Sequence, residues 1–342
     1  MSGGKVRYAV IGTGGIAETH AAALRQVERA ELFMVYDRDT AKAEDFARRH
    51  GCRAARSPEE IAESGADAVS IATPSGTHAA VAVPMAKAGK HVFCEKPLDV
   101  TSEKAEQIIQ ACREKHVLLT AVLPLRFCDT VRWTKHCADL GCLGSPVLTS
   151  ASMRWFRAPE YYADSWRGSR SMDGGVLMNQ GIHFADLLLY FNGDAAEVSA
   201  FSVRRMHLQL EVDDTVCASI RFRNGSLGLF EVSTACAPGN PKRFEFSGTE
   251  GSIVMEDDRI VRTRFREEPL RAGTPPESNG SAQDSASPLL SDCELHRRQF
   301  ANFTAAVLDG VPLEVPGGEG LAAIRLIEAI TRSAASGERV FL

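Results

Sequence analysis

Apolar runs and segments of helical pattern alternate along the first third of the chain. Val6–Ile11 is an apolar run, which is typical of a strand covered on both faces. The predicted strands are Val6–Ile11, Glu31–Tyr36, Ala68–Ala72, His91–Cys94 and Val117–Val122, and the predicted helices are Ile16–Val27, Thr40–His50, Thr77–Ala88 and Ser102–Lys115. Strands that alternate with helices predict right-handed crossovers and a doubly wound parallel sheet.

A different pattern begins after about Pro124. Predicted helices at Thr130–Leu140 and Val176–Phe191 flank a strand at Val147–Trp155 and a loop rich in aromatic residues and arginine. The strands predicted next have no helices between them: Glu197–Arg205, Thr215–Phe222, Leu227–Ser233 and Phe244–Ser247. Apolar and polar residues alternate in one of these strands, and Asn224-Gly225 is a hairpin signal, so we expect an open, mostly antiparallel sheet with one covered face.

The end of the chain returns to a helical pattern. Arg271–Ser287 is rich in Gly, Pro, Ser and Asn, which predicts a mobile loop, and helices are predicted at Cys293–Leu308 and Gly320–Ala334. We therefore divide the chain into an N-terminal α/β domain, residues 1–123, and a C-terminal α+β domain, residues 124–342, for substrate binding and oligomerisation.

Composition and charge exclude several classes of function. The chain has 342 residues, 44% of them hydrophobic, and a net charge of -5. No basic excess is present to neutralise phosphates, so we expect neither a nucleic-acid surface nor binding to an anionic membrane. The N-terminus lacks the pattern of a signal peptide, and no apolar stretch is long enough to span a bilayer, so we expect a cytoplasmic protein.

The cysteines give no sign of a disulfide framework or a metal site. There are nine of them, an odd number, and they are scattered along the chain. The closest group is His136, Cys137 and Cys142, but no second ligand pair follows it. We therefore expect structural cysteines and no metal.

A glycine-rich turn follows the first predicted strand and opens the first predicted helix. Gly12-Thr13-Gly14-Gly15-Ile16-Ala17 matches the pattern G-x-G-x-x-A in the context that a dinucleotide site requires. Gly12 allows the tight turn, Gly14 allows close approach of a pyrophosphate, and Ala17 allows close packing of helix on strand. The free N–H groups of Gly15, Ile16 and the rest of the first turn attract phosphate.

The choice between the two dinucleotide cofactors depends on the end of the second strand. Asp37 lies about 20 residues beyond the glycines, where a carboxylate accepts hydrogen bonds from ribose hydroxyls and repels a 2′-phosphate. Arg38, the next residue, favours a 2′-phosphate. We predict NAD as the cofactor, with NADP left open by Arg38.

Three further motifs resemble the Gfo/Idh/MocA family of oxidoreductases. They are Thr73-Pro74-Ser75-Gly76-Thr77-His78, Cys94-Glu95-Lys96-Pro97-Leu98 and the segment from Gly174 to His183, with a similar pattern from about Ala301 to Val340. The resemblance spans nearly the whole chain. It implies a Rossmann domain followed by a domain with an open mixed sheet.

The first two motifs follow the third and fourth predicted strands, and ligands bind at the carboxyl ends of such strands. The resemblance makes Lys96 a catalytic residue that also contacts substrate and cofactor, and it implies a cis bond before Pro97. The other residues assigned to the cofactor in these motifs are Thr73, Pro74, Ser75, His78 and Glu95.

The third motif carries the second catalytic residue that the resemblance implies, His183. Asn179 is four residues earlier, so a continuous helix would place both on one face. The family often has aspartate where this chain has Asn179, and an amide binds a substrate hydroxyl but cannot accept a proton. Asp186, one turn later, is an alternative group for orienting the imidazole, against a purely structural hydrogen bond.

The aromatic and arginine-rich loop also resembles the family. It places Trp166 and Arg167 near the nicotinamide end of the cofactor, and Tyr162 near the substrate. Arg126 follows the fifth predicted strand, where we expect it to face the substrate.

These residues predict hydride transfer between nicotinamide and a secondary alcohol of a sugar, nucleotide sugar or cyclitol. Two alternatives stay open: an NAD-dependent, redox-assisted glycosidase, and a dinucleotide-binding regulatory protein without catalysis. Leu227, Leu229 and Phe230 indicate that the outer face of the C-terminal sheet is not evenly polar, so we also expect a homodimer or homotetramer.

Overall fold

The computed structural model describes residues 4–163, 166–267, 270–276 and 293–342. Contacts divide the chain into two units, described here one at a time. The first comprises Met1–Pro124 and Leu289–Leu321, and the second comprises Leu125–Pro288 and Ala322–Leu342. No helix among the described residues is both long and apolar enough to cross a membrane.

The first unit is built on a parallel sheet, with six strands among the residues described. Its strands are β1 (Val6–Ile11), β2 (Ala30–Tyr36), β3 (Arg53–Ala54), β4 (Ala68–Ile71), β5 (His91–Cys94) and β6 (Leu119–Ala121), in the order β3-β2-β1-β4-β5-β6. Its helices are α1 (Gly15–Arg25), α2 (Thr40–His50), α3 (Pro58–Glu63), α4 (His78–Lys87) and α5 (Ser102–Glu114). This is the doubly wound order of a Rossmann sheet, as predicted, and the strand order reverses between β1 and β4.

The predicted continuous second domain, residues 124–342, is wrong, because Leu289–Leu321 clusters with the first unit. This part contains α8 (Glu294–Asp309), whose Phe300 stacks on Phe93 of β5 with ring centroids 3.8 Å apart. Phe300 also meets Tyr8 of β1 edge-on. The apolar face of α8 is evident in the sequence, but the sequence does not show which sheet that face covers.

The second unit is built on a mixed sheet, with eight strands among the residues described. Its strands are β7 (Pro146–Arg154), β8 (Ala195–Val203), β9 (Thr215–Phe222), β10 (Leu227–Ser233), β11 (Arg243–Gly248), β12 (Gly251–Glu256), β13 (Arg259–Phe265) and β14 (Val340–Phe341), in the order β13-β12-β11-β7-β10-β9-β8-β14. Only the β7–β10 pair is parallel among these described strands. The prediction of a mostly antiparallel sheet is confirmed.

Three further α-helices lie among the described residues: α6 (Asp129–Asp139), α7 (Ile182–Asn192) and α9 (Gly317–Ser336), the last of which crosses the division at residue 321. Helix α7 packs against β7 and β10, and its Phe191 contacts the rings of Phe244 and Phe246 on β11. Strand β9 alternates buried and exposed residues as its sequence predicts.

Phe230 was wrongly grouped with the residues of the outer sheet face. It is 1% exposed and points into the core, whereas Leu227 and Leu229 are 46% and 47% exposed. Alternation along a strand puts odd and even positions on opposite faces, so all three residues cannot share one.

Two other predictions need correction. Helix α7 does not extend over 176–191 as one α-helix, because Leu177–Gly181 forms a π-helical turn before it. The hairpin of β12 and β13 was missed because β13 has no buried face to give it an alternating pattern. The part of the predicted loop at 277–287 lies outside the described residues.

Candidate active site

The turn between β1 and α1 has the shape of a phosphate cradle. Gly12 has φ +101°, and a Cβ there would lie 2.6 Å from the carbonyl oxygen of Ala72, so no other residue fits. A Cβ on Gly14 or Gly15 would meet no atom within 4 Å. No side chain caps the N-terminus of α1, whose N–H groups therefore face this open space. The arrangement fits the pyrophosphate of a dinucleotide.

Asp37 is fixed against this turn at the end of β2. Its Oδ2 accepts hydrogen bonds from the backbone N–H of Thr13 over 3.0 Å and from Thr13 Oγ1 over 2.7 Å. Its Oδ1 accepts from the backbone N–H of Asp39 over 2.9 Å. These bonds hold the carboxylate in place beside the glycine turn, where the fingerprint puts the ribose.

A cleft of about 330 Å³ lies next to Thr13, and its lining residues are Thr13, Ala41, Lys42, Asp45 and Arg49. The guanidinium of Arg49 is bonded to Glu18 and Asp45, each over 2.8 Å. Arg38 is exposed. The positive charge of Arg49 is thus already paired with two carboxylates, so Arg49 is a poorer partner for a 2′-phosphate.

The loop after β5 carries Lys96, which is half-buried. The Lys96–Pro97 peptide bond is cis, as predicted. The backbone N–H of Lys96 donates to Oε2 of Glu95 over 3.1 Å. The carboxylate of the preceding residue therefore fixes the backbone from which the Lys96 side chain extends.

Glu95 lies at the centre of a buried polar cluster formed with His20 of α1, Ser70 of β4 and His296 of α8. His20 Nε2 lies 2.9 Å from Glu95 Oε1, and His20 Nδ1 lies 2.8 Å from Ser70 Oγ. His296 Nε2 lies 3.8 Å from the same Glu95 oxygen. We call this group the His20–Glu95 cluster.

Burial opposes ionisation of Glu95, but the hydrogen bond from His20 and the Coulombic interactions of the carboxylate with His20, His296 and Lys96 outweigh it. They hold the pKa of Glu95 at about 2. Burial lowers the pKa of His296 to about 4, with the charge of Glu95 opposing the shift. At neutral pH the cluster therefore contains an ionised Glu95 and a neutral His296.

His78 holds the other side of the Lys96–Pro97 loop. Its side chain is buried, with Nδ1 2.8 Å from the carbonyl oxygen of Pro97 and Nε2 2.9 Å from that of Thr73. Thr73, Pro74 and Ser75 form the turn between β4 and α4. The side chains of His78 and Glu95 thus have protein partners, and the cofactor contacts assigned to these two residues stay predictions.

In the second unit, Asn179 lies in the π-helical turn and His183 in the first turn of α7. The argument from α-helical spacing does not apply across this junction, because a π turn has a longer repeat. Asn179 Nδ2 donates to Oδ1 of Asp173 over 2.6 Å, and Asp173 is 2% exposed. The other Asp173 oxygen accepts from the backbone N–H of Gly168 over 2.9 Å.

Asp186 and Arg126 form a buried ion pair, in which Nε of Arg126 lies 2.9 Å from Oδ2 of Asp186. The Arg126 guanidinium also lies over the ring of Tyr190, 4.3 Å from its centroid. The pair joins the start of the second unit to α7, and it engages the carboxylate that was an alternative for orienting His183. The substrate contact expected of Arg126 stays a prediction.

The loop after β7 stacks arginines between aromatic rings. Arg157 lies over Trp155 at 4.8 Å, and Arg167 lies over Tyr161 and Trp166 at 4.8 and 4.7 Å. The hydroxyl of Tyr162 bonds to Thr234 Oγ1 over 2.9 Å, and burial raises the pKa of Tyr162 to about 12. The substrate contact assigned to Tyr162 and the cofactor contacts assigned to Trp166 and Arg167 stay predictions.

The sequence interpretation missed Asp173, His20 and His296. His20 carried a signal, because it lies among the apolar positions of α1 that face the sheet. Asp173 carried none, since a turn at Gly174 and Gly175 brings it back to Asn179. His296 reaches Glu95 only because α8 packs on the first sheet.

Comparison with known proteins agrees with both parts of the chain. Residues 6–122 match the model of an oxidoreductase family with an NAD-binding Rossmann fold, and residues 131–254 match the GFO/IDH/MocA C-terminal domain. The chain is 32% identical to scyllo-inositol 2-dehydrogenase (NAD(+)) of Bacillus subtilis over 73% of this chain and 74% of that one. The chain belongs to the Gfo/Idh/MocA family.

Other members of the Gfo/Idh/MocA family match almost end to end. Inositol 2-dehydrogenase of Rhizobium meliloti is 25% identical over 98% of both chains. The WlbA dehydrogenase of Bordetella pertussis, solved in complex with NADH and UDP-GlcNAcA, is 29% identical with a TM-score of 0.89 over 99% of both chains.

Membership of the Gfo/Idh/MocA family confirms the predictions of an oxidoreductase, of a Rossmann domain and of NAD as the cofactor. The glycine cradle and the fixed Asp37 carboxylate fit that cofactor.

Proposed function

We propose that the protein is an NAD-dependent dehydrogenase acting on a secondary hydroxyl of a nucleotide sugar. The observation that carries this choice of substrate is the similarity to the WlbA dehydrogenase, which extends over both units and is seen in a complex with UDP-GlcNAcA. The similarity covers the C-terminal unit, where the family's substrate motif lies, as well as the cofactor domain.

Bound NAD⁺ would supply the acceptor of the hydride that leaves the carbinol carbon in oxidation. Lys96 donates a hydrogen bond to the reacting oxygen and stabilises negative charge on it. His183 takes the hydroxyl proton in oxidation and returns it in reduction. Asn179, held by Asp173, binds a substrate hydroxyl without exchanging a proton.

A cyclitol is the second candidate substrate. Two of the relatives, in Rhizobium meliloti and Bacillus subtilis, are inositol dehydrogenases with 25% and 32% identity. Both candidates present a secondary alcohol among other hydroxyls, so the same residues would serve either reaction.

An assay of NADH formation separates the candidates. Each candidate is supplied with NAD⁺: UDP-GlcNAcA, its analogue with an uncharged hydroxymethyl group in place of the sugar carboxylate, myo-inositol, scyllo-inositol and an aryl glycoside. We expect the highest kcat/KM with UDP-GlcNAcA. A higher value for an inositol would replace the nucleotide sugar by a cyclitol. Cleavage of a glycoside without net NADH formation would identify the redox-assisted glycosidase, and turnover of none of these alcohols or glycosides would favour the regulatory protein.

The expected homodimer or homotetramer is part of this proposal. The outer face of the C-terminal sheet exposes Phe201 by 80%, with Leu227 and Leu229 nearly half exposed on the same face. Burying such residues in a symmetric contact is favourable. Light scattering at micromolar concentration tests it: we expect a dimer or tetramer for the wild type and a smaller species for Leu229→Arg. A wild-type monomer would contradict the assignment.

The expected cytoplasmic location is also retained. All nine cysteines lie within the described residues and all are free thiols, which suits a reducing compartment. Fractionation of the native cells tests the location, and recovery of the protein outside the cytoplasm would contradict it.

A further inference from the structure

The His20–Glu95 cluster links the helix of the phosphate cradle to the loop that carries Lys96. His20 lies on α1, the helix that begins at Gly15. Because Glu95 is ionised, it is the acceptor, and His20 Nε2 donates to Glu95 Oε1 over 2.9 Å. The other carboxylate oxygen of Glu95 accepts the backbone N–H of Lys96 over 3.1 Å. Each end of the carboxylate thus holds a different element.

The imidazole of His20 is itself held in place. It is 0% exposed, it bonds to Ser70 of β4 through Nδ1, and it meets the rings of Phe93 and Phe300 edge-on. A buried side chain with this many fixed neighbours has one orientation. The direction of its Nε2–H toward Glu95 is therefore set by three surrounding elements.

His78 contacts the Lys96–Pro97 loop from its other side, where its Nδ1 lies 2.8 Å from the Pro97 carbonyl oxygen. One histidine thus acts on the N–H of Lys96 through Glu95, and a second acts on the carbonyl of the next residue. The rate of catalysis falls when the residues around a catalytic group allow it to be displaced by about 1 Å.

We propose that His20 is a positioning residue for the reaction: through Glu95 it fixes the backbone of Lys96 and thereby aims the Lys96 ammonium group. The proposal rests on the catalytic role of Lys96 given above. His20 belongs to none of the motifs found in the sequence. The proposal gives it an effect on catalysis that needs no contact with the substrate.

The cluster also brings together three side chains that can ligate a metal, since the donor atoms of His20, Glu95 and His296 lie within 4.8 Å of one another. The direct hydrogen bond from His20 to Glu95 uses both of the atoms that a cation would need. The positive charge of Lys96 acts on Glu95 and His296, which disfavours a second cation at that point. The close approach of His20 to Glu95 is therefore explained by the hydrogen bond between them, without a metal ion.

Two substitutions at one position test the proposal. In His20→Gln the side-chain amide reaches the place of Nε2 and keeps a donor for Glu95, but the bond to Ser70 is lost. In His20→Asn the amide reaches only the place of Nδ1, so the bond to Ser70 is kept and the bond to Glu95 is lost. Both remove the ring, so both carry a similar cost in packing. Melting temperatures of the two variants check that they are folded.

The first readout is the rate of reductive methylation of Lys96 as a function of pH, measured on its peptide by mass spectrometry, with the exposed Lys87 as internal control. We expect His20→Asn to change the Lys96 rate or its midpoint pH and His20→Gln to resemble the wild type. Lys87 should be unchanged in both. The second readout is turnover, where we expect kcat to fall about 10–100-fold in His20→Asn, with little change in KM, and about 2-fold in His20→Gln.

Equal effects of the two substitutions on Lys96 labelling and kcat, or no effect of either, would overturn the proposal. So would a stoichiometric divalent ion in protein purified without chelator, because a metal would then replace the hydrogen bond. If the wild type oxidises none of the candidate alcohols, the proposed function fails, and the labelling of Lys96 alone still decides the positioning role.

Discussion

Asn179 donates a hydrogen bond from Nδ2 to Oδ1 of Asp173 over 2.6 Å. Asn179 occupies the position where the family often has aspartate, so the motif itself lacks a carboxylate. Asp173, the residue directly before the motif, supplies one; it is 2% exposed and accepts a hydrogen bond from the N–H of Gly168. The Asp173 bond fixes the amide, so that its nitrogen faces Asp173.

A carboxylate introduced by Asn179→Asp would face Asp173 at hydrogen-bond distance. Two carboxylates so close cannot both be ionised, so one pKa of the pair should rise. We expect a loss of about 1–3 kcal/mol in unfolding free energy at pH 7 and a new ionisation in the pH profile of kcat. Asp173→Asn combined with Asn179→Asp exchanges donor and acceptor and should recover most of the stability. Urea unfolding and pH profiles of the single and double variants test this. Equal stability of wild type and Asn179→Asp would contradict the pairing.

Lys96→Ala should lower kcat by about 10²–10³-fold, the cost of removing one preorganised donor to a developing charge. NADH affinity should change little, because the cradle and Asp37 are separate from this side chain. Fluorescence titration of NADH and steady-state kinetics on the same preparation measure both. A folded Lys96→Ala enzyme with near-normal turnover would remove Lys96 from the mechanism.

His183→Asn should lower kcat by about 10²–10⁴-fold and remove an ionisation from its pH profile, because an amide cannot move the proton. If His183 were only structural, the substitution would lower the melting temperature and leave kcat almost intact. Melting curves and pH profiles of kcat therefore distinguish the two roles. Asn179→Ala is the matched control from the preceding turn and should act mainly on KM.

NADPH should bind more weakly than NADH, because Asp37 is fixed by Thr13 and meets the added phosphate. A like-charge contact of this kind costs several kcal/mol. Asp37→Ser should reduce the difference between the two dissociation constants, whereas Arg38→Ala should increase it. Titration of both reduced cofactors against the three proteins gives the answer. Tighter binding of NADPH to the wild type would reverse the assignment.

His296 should make the protein less stable as the pH falls from about 6.5 to about 4. Burial, helped by the charges of His20 and Lys96 and opposed by Glu95, lowers its pKa to about 4. The unfolded chain takes up this proton near pH 6.5 and the folded protein does not, so stability is lost across that interval. The free energy of unfolding of the wild type should fall between pH 7.5 and pH 5. In His296→Gln this fall should be smaller by about 1–2 kcal/mol. The depressed pKa of Glu95 acts only below about pH 4.5. Identical pH dependence of both proteins would show that His296 titrates normally.

The dinucleotide site could be predicted from the sequence because its determinants are local. Gly12 adopts a positive φ that other residues rarely adopt, Gly14 and Gly15 leave space, and Asp37 follows the next strand. The residue types and the strand–turn–helix order were sufficient to place them. The protein partners of His78 could not be predicted, because the carbonyls of Thr73 and Pro97 are backbone groups that no motif identifies; its contact with the cofactor stays a prediction.

By itself, the sequence determined the parallel sheet, most of the antiparallel strands, the cofactor turn, the loop that carries Lys96 and the helical segment that carries His183, since periodicity and turn chemistry act between near neighbours. Only the tertiary structure decided that α8 belongs to the first sheet and brings His296 to Glu95, that Asp173 is the carboxylate beside Asn179, and that Arg126 is engaged by Asp186. Asp173 and Asn179 are six residues apart and meet through the turn at Gly174 and Gly175. The other two pairs join separate elements, whose meeting depends on which surfaces pack together, and the pattern along the chain does not record that choice.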